Sequence, residues 1–331
     1  MPNNRCKRIE INNNLINGPG LTPQPWPTPT PEPPVPSICG KLYVTNSLSN
    51  SISVIDTATG QVIDTIEGLN GRPFEVYVNP YTNQVIVSLL SNELVIIDPI
   101  TDTIINIIEL NLDLVTGVIY NPISNYYYIA SEDSIVVATY NGTTFEEVRR
   151  VPIVSPFKFA IDSNSGLVYA SAYGSNYVSV ISGIVEIDQI VLGSRPGENT
   201  LNSVTRRAYV SVRGENSVAV IDTVTNTLIT SIPVQASPRG IDVNPITNKV
   251  YVTLVNGELV EIDGVTNEVI NRIQLSNLTW DVAVDYEQNI AYVTNRQQNT
   301  VSTIDLSTFS EIQTIGVGVE PVEVTLYYYE C

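Results

Sequence analysis

The sequence predicts an all-β protein: a seven-bladed β-propeller of four-stranded antiparallel blades, closed by the C-terminal strand and preceded by an extended, proline-rich N-terminal arm. Two observations lead to this fold class. From residue 41 onward, segments of about five to seven residues alternate Val, Ile, Tyr and Thr with polar residues, and Asn, Asp, Gly or Pro separate them. These segments repeat seven times, with spacings of 40 to 43 residues.

Each repeat contains four strand-like segments. In the first copy the first three cover residues 42–46, 52–56 and 62–66, and the fourth begins at Pro73, as it begins at a proline in most copies. The centres of the first segments are equivalent positions: Tyr43, Ile86, Tyr128, Tyr169, Tyr209, Tyr251 and Tyr292. Four strands in a unit of roughly 42 residues are typical of a propeller blade.

The two ends of the chain are expected to share one blade. Residue 41 enters at the first segment of a repeat, and the chain ends with residues 321–326, which have the pattern of a fourth segment. The C-terminal strand should therefore complete the blade begun by residues 41–67. Closure of this kind removes two exposed sheet edges.

The region before the repeats divides into two parts. Residues 1–18 form a short polar arm, and residues 19–38 hold nine prolines. Proline at this density excludes helix and sheet interior and favours a semi-rigid polyproline II spacer, although the composition equally allows a disordered tail. The predicted organisation is thus a connector arm at 1–18, a spacer at 19–38 and a propeller at 39–331.

Composition excludes several classes of function. The chain has 16 basic and 34 acidic residues, so its formal charge of −18 disfavours nucleic acid as a partner. It has no histidine and only three widely spaced cysteines, which excludes histidine-based triads, histidine-ligated zinc and four-cysteine metal sites. We therefore expect no catalytic, metal-binding or cofactor-binding residues. No apolar run reaches bilayer length, so no membrane insertion is expected.

Several motifs resemble those of a known family. The sequences YVTN at 43–46 and 292–295, VIDT at 54–57 and NPITN at 244–248 are similar to those of YVTN-repeat β-propellers. The resemblance covers residues 41–329. It implies the propeller fold and a role like that of members found in prokaryotic surface-layer and cell-surface proteins, whereas propellers as a class include enzymes, binders and scaffolds.

Repeated Asp and Tyr residues have structural interpretations. An Asp ends the second segment in five copies, where its side chain is expected to bond the following turn: Asp56, Asp98, Asp222, Asp263 and Asp305. The tyrosine runs at 126–128 and 327–329 are interpreted as strand packing. Alternation along the strand predicts that Tyr127 and Tyr329 are their exposed members.

Two cysteines are expected to be neighbours. Aligning the first and last strands with a complete repeat places Cys39 and Cys331 in one turn, level with Thr247 and Asn248. A disulfide there would seal the ring across 291 intervening residues. Two free thiols, or a bond from either cysteine to Cys6 of another copy, are the alternatives.

The N-terminal arm is predicted to join subunits. If Cys39 and Cys331 pair, Cys6 is the odd cysteine and becomes an intersubunit cross-link. Residues 7–11 alternate polar and apolar, so they can add as a strand to another sheet, and the basic arm is attracted by the acidic propeller. The expected docking residues are Arg5, Lys7, Arg8, Ile9, Ile11, Leu15 and Ile16.

These features predict a structural, self-assembling surface protein rather than an enzyme. Head-to-tail docking through the arm would link copies of the chain into a filament or array. The alternative is a cell-surface module that binds a glycan or a protein. The basic N-terminus lacks the apolar stretch of a Sec signal peptide, so an extracellular or spore-surface location would follow from assembly in a mother cell and release by lysis.

Overall fold

Residues 38–133 and 136–331 are described by a computed structural model, in which they form seven four-stranded antiparallel sheets. The innermost strands of successive sheets contact one another around a closed ring, which confirms the predicted seven-bladed propeller. These two ranges contain no helix, and so none long and apolar enough to cross a membrane. The predicted arm and nearly all of the predicted spacer lie outside the described residues.

Each blade has one strand beside the central channel, two middle strands and one outermost strand. The channel strands are β4 (Pro73–Asn79), β8 (Val115–Asn121), β12 (Pro156–Ile161), β16 (Pro196–Asn202), β20 (Pro238–Asn244), β24 (Thr279–Asp285) and β28 (Pro321–Glu330). Next to them lie β1 (Ile38–Asn46), β5 (Gln84–Leu89), β9 (Tyr126–Ser131), β13 (Val168–Ala172), β17 (Arg207–Val212), β21 (Lys249–Leu254) and β25 (Ile290–Asn295).

The two outer positions of each blade complete the element list. The third strands are β2 (Ser51–Asp56), β6 (Glu93–Asp98), β10 (Val136–Asn141), β14 (Tyr177–Ser182), β18 (Ser217–Asp222), β22 (Glu258–Asp263) and β26 (Thr300–Asp305). The outermost strands are β3 (Gln61–Ile66), β7 (Thr103–Glu109), β11 (Glu147–Pro152), β15 (Val185–Val191), β19 (Thr227–Pro233), β23 (Glu268–Gln274) and β27 (Ser310–Gly316).

The ring is closed by the C-terminal strand, as predicted. β28 pairs antiparallel with β1 in the sheet order β28-β1-β2-β3, so the last strand of the chain completes the first blade. The pairing extends outward to Ile38 opposite Glu330. The predicted turn position of Cys39 is therefore wrong, because this cysteine lies within β1, where the longer strands replace the turn of the other blades.

Adjacent blades pack face to face, so the two middle strands of a blade are buried on both sides. Tyr43, Tyr128 and Tyr169 are fully buried at equivalent positions. Tyr127, predicted to be exposed, is also buried, and its hydroxyl accepts a hydrogen bond from Asn79 Nδ2 at 2.8 Å. Alternation fails there because a neighbouring blade covers the face that a simple sandwich would leave in water.

In several blades the repeated Tyr or Thr bonds the next blade. The Tyr43 hydroxyl donates to Asp102 Oδ1 at 2.5 Å, and Thr45 Oγ1 donates to the backbone oxygen of Phe74 at 2.8 Å. The Thr bond recurs from Thr253 to Trp280 O at 2.7 Å and from Thr294 to Val322 O at 2.8 Å. Where they occur, these bonds satisfy polar groups that are buried between neighbouring blades.

The repeated Asp residues cap turns, as predicted. Asp56 Oδ1 accepts a hydrogen bond from the backbone N–H of Thr59 at 2.8 Å. Asp222 Oδ1 accepts from the backbone N–H of Val224 at 2.8 Å, and such bonds lower the pKa of its carboxyl group. These carboxylates therefore fix hairpins rather than form a site.

Candidate functional site

The structure places Cys39 and Cys331 in a disulfide, with their Cα atoms 5.7 Å apart. The predicted pairing is therefore present. The bond lies next to the pair formed by Ile38 and Glu330, where β1 and β28 end. The predicted cross-link and docking residues lie outside the described residues: Arg5, Cys6, Lys7, Arg8, Ile9, Ile11, Leu15 and Ile16.

Charged side chains from several blades converge in the channel. All seven channel strands begin at the same end of the ring. Their third residues therefore lie at the same level along the channel. These seven residues are Glu75, Gly117, Lys158, Glu198, Gly240, Asp281 and Glu323. Four carboxylates, one ammonium group and two glycines thus form a ring, which we call the charged ring.

The side chain of Lys158 contacts carboxylates across the charged ring. Its Nζ lies 2.7 Å from Glu323 Oε2 and 3.7 Å from Glu198 Oε2, and it also pairs with the carboxylate of Glu75. These partners belong to three other blades, so one ammonium group ties four blades together. Within the described ranges no group of three or more acidic or cysteine residues is arranged to hold a metal ion.

Burial and like charge control protonation in the charged ring. Burial alone would lower the pKa of Lys158, but attraction to Glu198, Glu323 and Asp281 raises it above the ordinary lysine value. Burial and repulsion from Glu323 raise the pKa of Glu198 to about 7. Burial, Glu323 and Glu198 together raise the pKa of Asp281 well above that of an ordinary aspartate.

The channel is closed on one side of the charged ring. The second residues of three channel strands, Phe74, Phe157 and Val322, form a buried apolar layer, with the Phe rings 5.8 Å apart. Above it, Arg213 Cζ lies 4.8 Å from the centre of the Phe157 ring. Its charge is balanced by Glu198, whose Oε1 is 3.7 Å from Arg213 Nη2.

Trp280 completes the closed end between two guanidinium groups. The Cζ atoms of Arg239 and Arg296 lie 4.3 and 4.2 Å from its ring centre, within range of cation–π attraction. Arg296 also pairs with Glu320 at 2.8 Å. Burial, together with the nearby charges of Arg213 and Arg296, lowers the pKa of Arg239 to about 10. This end repels cations.

The opposite side of the charged ring opens into a wider vestibule. A cavity of about 360 Å³ reaches from the ring toward the mouth, and a second of about 300 Å³ shares Tyr77, Asn199 and Thr200 with it. The vestibule is defined by its aromatic walls and acidic floor. The walls include Tyr77, Tyr81, Tyr120, Tyr286 and Tyr328, and the floor contains Glu75, Asp242, Asp281 and Glu323.

Asp242 projects into the vestibule one level nearer to the mouth than the charged ring. Its carboxylate accepts hydrogen bonds from the backbone N–H of Val284 and of Val243, both at 2.8 Å, and from Thr200 Oγ1 at 3.4 Å. Burial nevertheless raises the pKa of Asp242 to about 6. This group therefore adds negative charge to the vestibule at neutral pH.

The charged ring is not among the sequence-based predictions, in which the channel strands are the fourth segments of the repeats and only the C-terminal one closes the ring. A signal was present. When the seven channel strands are aligned, a charged residue or glycine occupies the third position of every strand. Charged residues repeated at a fixed position of buried strands indicate a polar channel.

Comparison with known proteins supports the fold alone. No protein-family model matches the chain, and no curated protein is similar to it in sequence. AztD from Citrobacter koseri superposes with a TM-score of 0.66 at 11% identity, covering 89% of this chain and 99% of that one. A functionally unknown protein from Desulfotomaculum acetoxidans gives 0.71 at 15% identity, with 86% and 99% covered. Hydrazine synthase from Kuenenia stuttgartiensis gives 0.68 at 14% identity, with 77% and 95% covered.

Proposed function

We propose that the chain is a non-catalytic structural subunit that assembles with copies of itself into a filament or array, linked through its N-terminal arm. The observation that carries the proposal is the exposed outer edge of each blade. Among the described residues every outermost strand pairs with a single neighbouring strand, and several carry exposed Val and Ile side chains. Such edges accept an added strand from another chain.

One edge fits the arm best. On β15, Val185, Ile187 and Val191 are 55%, 53% and 62% exposed. The strand also carries Glu186 and Asp188, and it contains no basic residue. An arm strand covering residues 7–11 would bring Ile9 and Ile11 beside the exposed Val and Ile side chains and Arg8 beside the carboxylates.

The disulfide and the charged ring suit a load-bearing subunit. Cys39–Cys331 ties the first strand to the last, and Lys158 joins four blades across the channel. With two cysteines paired in the ring, Cys6 is available for a covalent bond between subunits. Disulfides persist in oxidising surroundings, so a cell or spore surface is the proposed location, in keeping with the resemblance to YVTN-repeat propellers.

The test compares assembly of the full chain with that of a protein lacking residues 1–18. Negative-stain microscopy and sedimentation velocity under oxidising conditions should show filaments or arrays for the first and folded monomers for the second. In I187K the edge of β15 gains a charge and assembly should fall at least tenfold. The matched variant I312K, on the outermost strand β27 where Ile312 is 56% exposed, should assemble normally.

Each outcome bears on one part of the proposal. Polymerisation without residues 1–18 would overturn the role of the arm, and equal assembly of I187K and I312K would overturn the choice of β15. A full-length protein that stays monodisperse at high concentration would overturn self-assembly altogether. The Cys6→Ser variant should still assemble, but its polymers should dissociate on dilution because the covalent link is gone.

A further inference from the structure

We propose that the vestibule binds a small organic ammonium compound, such as a diamine or polyamine, with its charged nitrogen against the carboxylates of the charged ring. The chemistry of the vestibule selects this class of ligand. It offers carboxylate acceptors at its floor and aromatic faces along its walls, and it lies in the channel, away from the outer edges through which subunits are proposed to join.

Acidic groups outnumber basic groups in the channel. Five carboxyl groups line the charged ring and the level next to it: Glu75, Glu198, Asp242, Asp281 and Glu323. The basic groups are Lys158, which contacts three of the five, Arg213, which contacts Glu198, and Arg239, whose charge also acts on Glu198. An excess of buried negative charge is costly unless a proton or a cation compensates it.

One carboxylate oxygen at the floor has no partner. Glu323 is 5% exposed and lines the vestibule, and its Oε2 contacts Lys158 at 2.7 Å. Its Oε1 is buried and accepts no hydrogen bond. Asp281, 8% exposed, lines the same cavity and accepts one hydrogen bond there, from the backbone N–H of Val324 to Oδ2 at 3.0 Å. Acceptor capacity is therefore left over beside the cavity.

The contacts of Lys158 indicate which chemical group the charged ring binds. Lys158 is itself an alkyl ammonium group held by carboxylates, and its Nζ lies 5.4 Å from the centre of the Phe74 ring. A ligand ammonium entering from the vestibule would meet the same two elements, carboxylate and aromatic ring. Tyrosine rings attract a desolvated cation, and this attraction adds to the pairing with the carboxylates.

The shape of the channel sets the direction of entry and the size of the ligand. Phe74 and Phe157 block the opposite end of the channel. The guanidinium groups around Trp280 repel cations there. The vestibule cavities of about 360 and 300 Å³ hold a flexible aliphatic chain with one or two amines, but not a folded partner. Tyr286, 39% exposed, lies where such a ligand would enter.

The test is titration calorimetry of the full chain with cadaverine and with spermidine at pH 7 and low salt. Binding should be saturable, and N,N′-diacetylcadaverine, which has the same chain without charge, should not bind. D281N and E323Q should each weaken binding at least tenfold. E320Q, which removes a carboxylate at the closed end, should bind as the wild type does.

Two further measurements separate a loss of binding from a disturbance of the charged ring. Because the D281N and E323Q substitutions are buried, Y286A at the mouth provides a variant that leaves the ring intact, and it should weaken binding about threefold to tenfold. Raising salt to 0.5 M should also weaken binding. No saturable heat at millimolar amine, equal binding of the diacetyl compound, or equal loss in E320Q and D281N would each overturn the proposal. Assembly of the protein does not affect these readouts.

Discussion

Gly240 lies directly against Asp281 of the next blade. A Cβ atom on residue 240 would stand 2.5 Å from both the Cα and the Oδ1 of Asp281, closer than real side-chain contacts allow. The missing side chain in one channel strand is therefore what lets the carboxylate of the next strand enter the charged ring. The two residues are 41 positions apart in sequence, one blade period.

Substituting Gly240→Ala should displace Asp281 and lower the free energy of unfolding by about 1–3 kcal/mol, the usual cost of overpacking. Gly316→Ala is the matched control, because a Cβ there meets nothing within 4 Å. It should change stability by less than about 0.5 kcal/mol. Urea denaturation followed by fluorescence measures both, and equal effects would contradict the role given to Gly240.

Substituting Lys158→Met should destabilise the propeller strongly. The change leaves the carboxylates of Glu75, Glu198 and Glu323 buried without their counter-ion, and breaking such a pair costs about 3–5 kcal/mol. Arg72→Met, which breaks an exposed pair with Glu320, should cost at most about 1 kcal/mol. Thermal unfolding distinguishes them; similar melting temperatures would show that the charged ring adds no stability.

Stability should rise as the pH falls from about 7 to about 5. The pKa values of Glu198 and Asp242, about 7 and about 6, exceed their ordinary values, so the folded protein keeps protons that the unfolded chain releases in this window. The chain has no histidine to add an opposing change. Below about pH 4 stability should fall, since capping carboxylates with lowered pKa, such as Asp162 and Asp222, become protonated.

The measurement is the free energy of unfolding in urea at several pH values. Each raised carboxyl group contributes a slope of at most about 1.4 kcal/mol per pH unit. The Glu198→Gln variant should flatten the profile between pH 5 and 7, whereas Glu320→Gln, at the exposed closed end, should leave it unchanged. A wild-type profile that rises with pH across this range would contradict the assignment.

Breaking the disulfide should lower stability without opening the ring. Replacing both Cys39 and Cys331 by Ser removes a cross-link between residues 292 apart, worth on the order of 5 kcal/mol in the chain-entropy model. The β1–β28 ladder remains, so the variant should stay folded at 25 °C with a lower melting temperature. Mass mapping of the non-reduced wild type must first show the Cys39–Cys331 peptide pair; free thiols there would refute the premise.

Deleting residues 320–331 should unfold the whole propeller. The deletion removes β28, which pairs with β1 and contacts the channel strands β24 and β4 on either side. It also removes Glu323 from the charged ring. Circular dichroism should show loss of a cooperative transition, while a protein lacking residues 1–18 should retain it. A C-terminal truncation with an unchanged transition would mean that the ring does not depend on closure.

The amino-acid sequence by itself determined the class of fold and the way the ring closes. Alternation sets strands locally, the repeat of 40 to 43 residues sets the blade, and the orphan strand at residues 321–326 has its place only in the first blade. The pairing of Cys39 with Cys331 follows from the same register. These inferences succeed because each depends on patterns within one repeat or on counting repeats.

Only the tertiary structure decided which side chains meet in the channel. Glu75, Lys158 and Glu323 are separated by many tens of residues, and they touch only because the closed ring points one position of every channel strand at a common axis. Burial of Tyr127 was missed for the same reason, since the neighbouring blade covers it. Local periodicity records which face of a strand is apolar, whereas contacts across blades arise from closure of the whole ring.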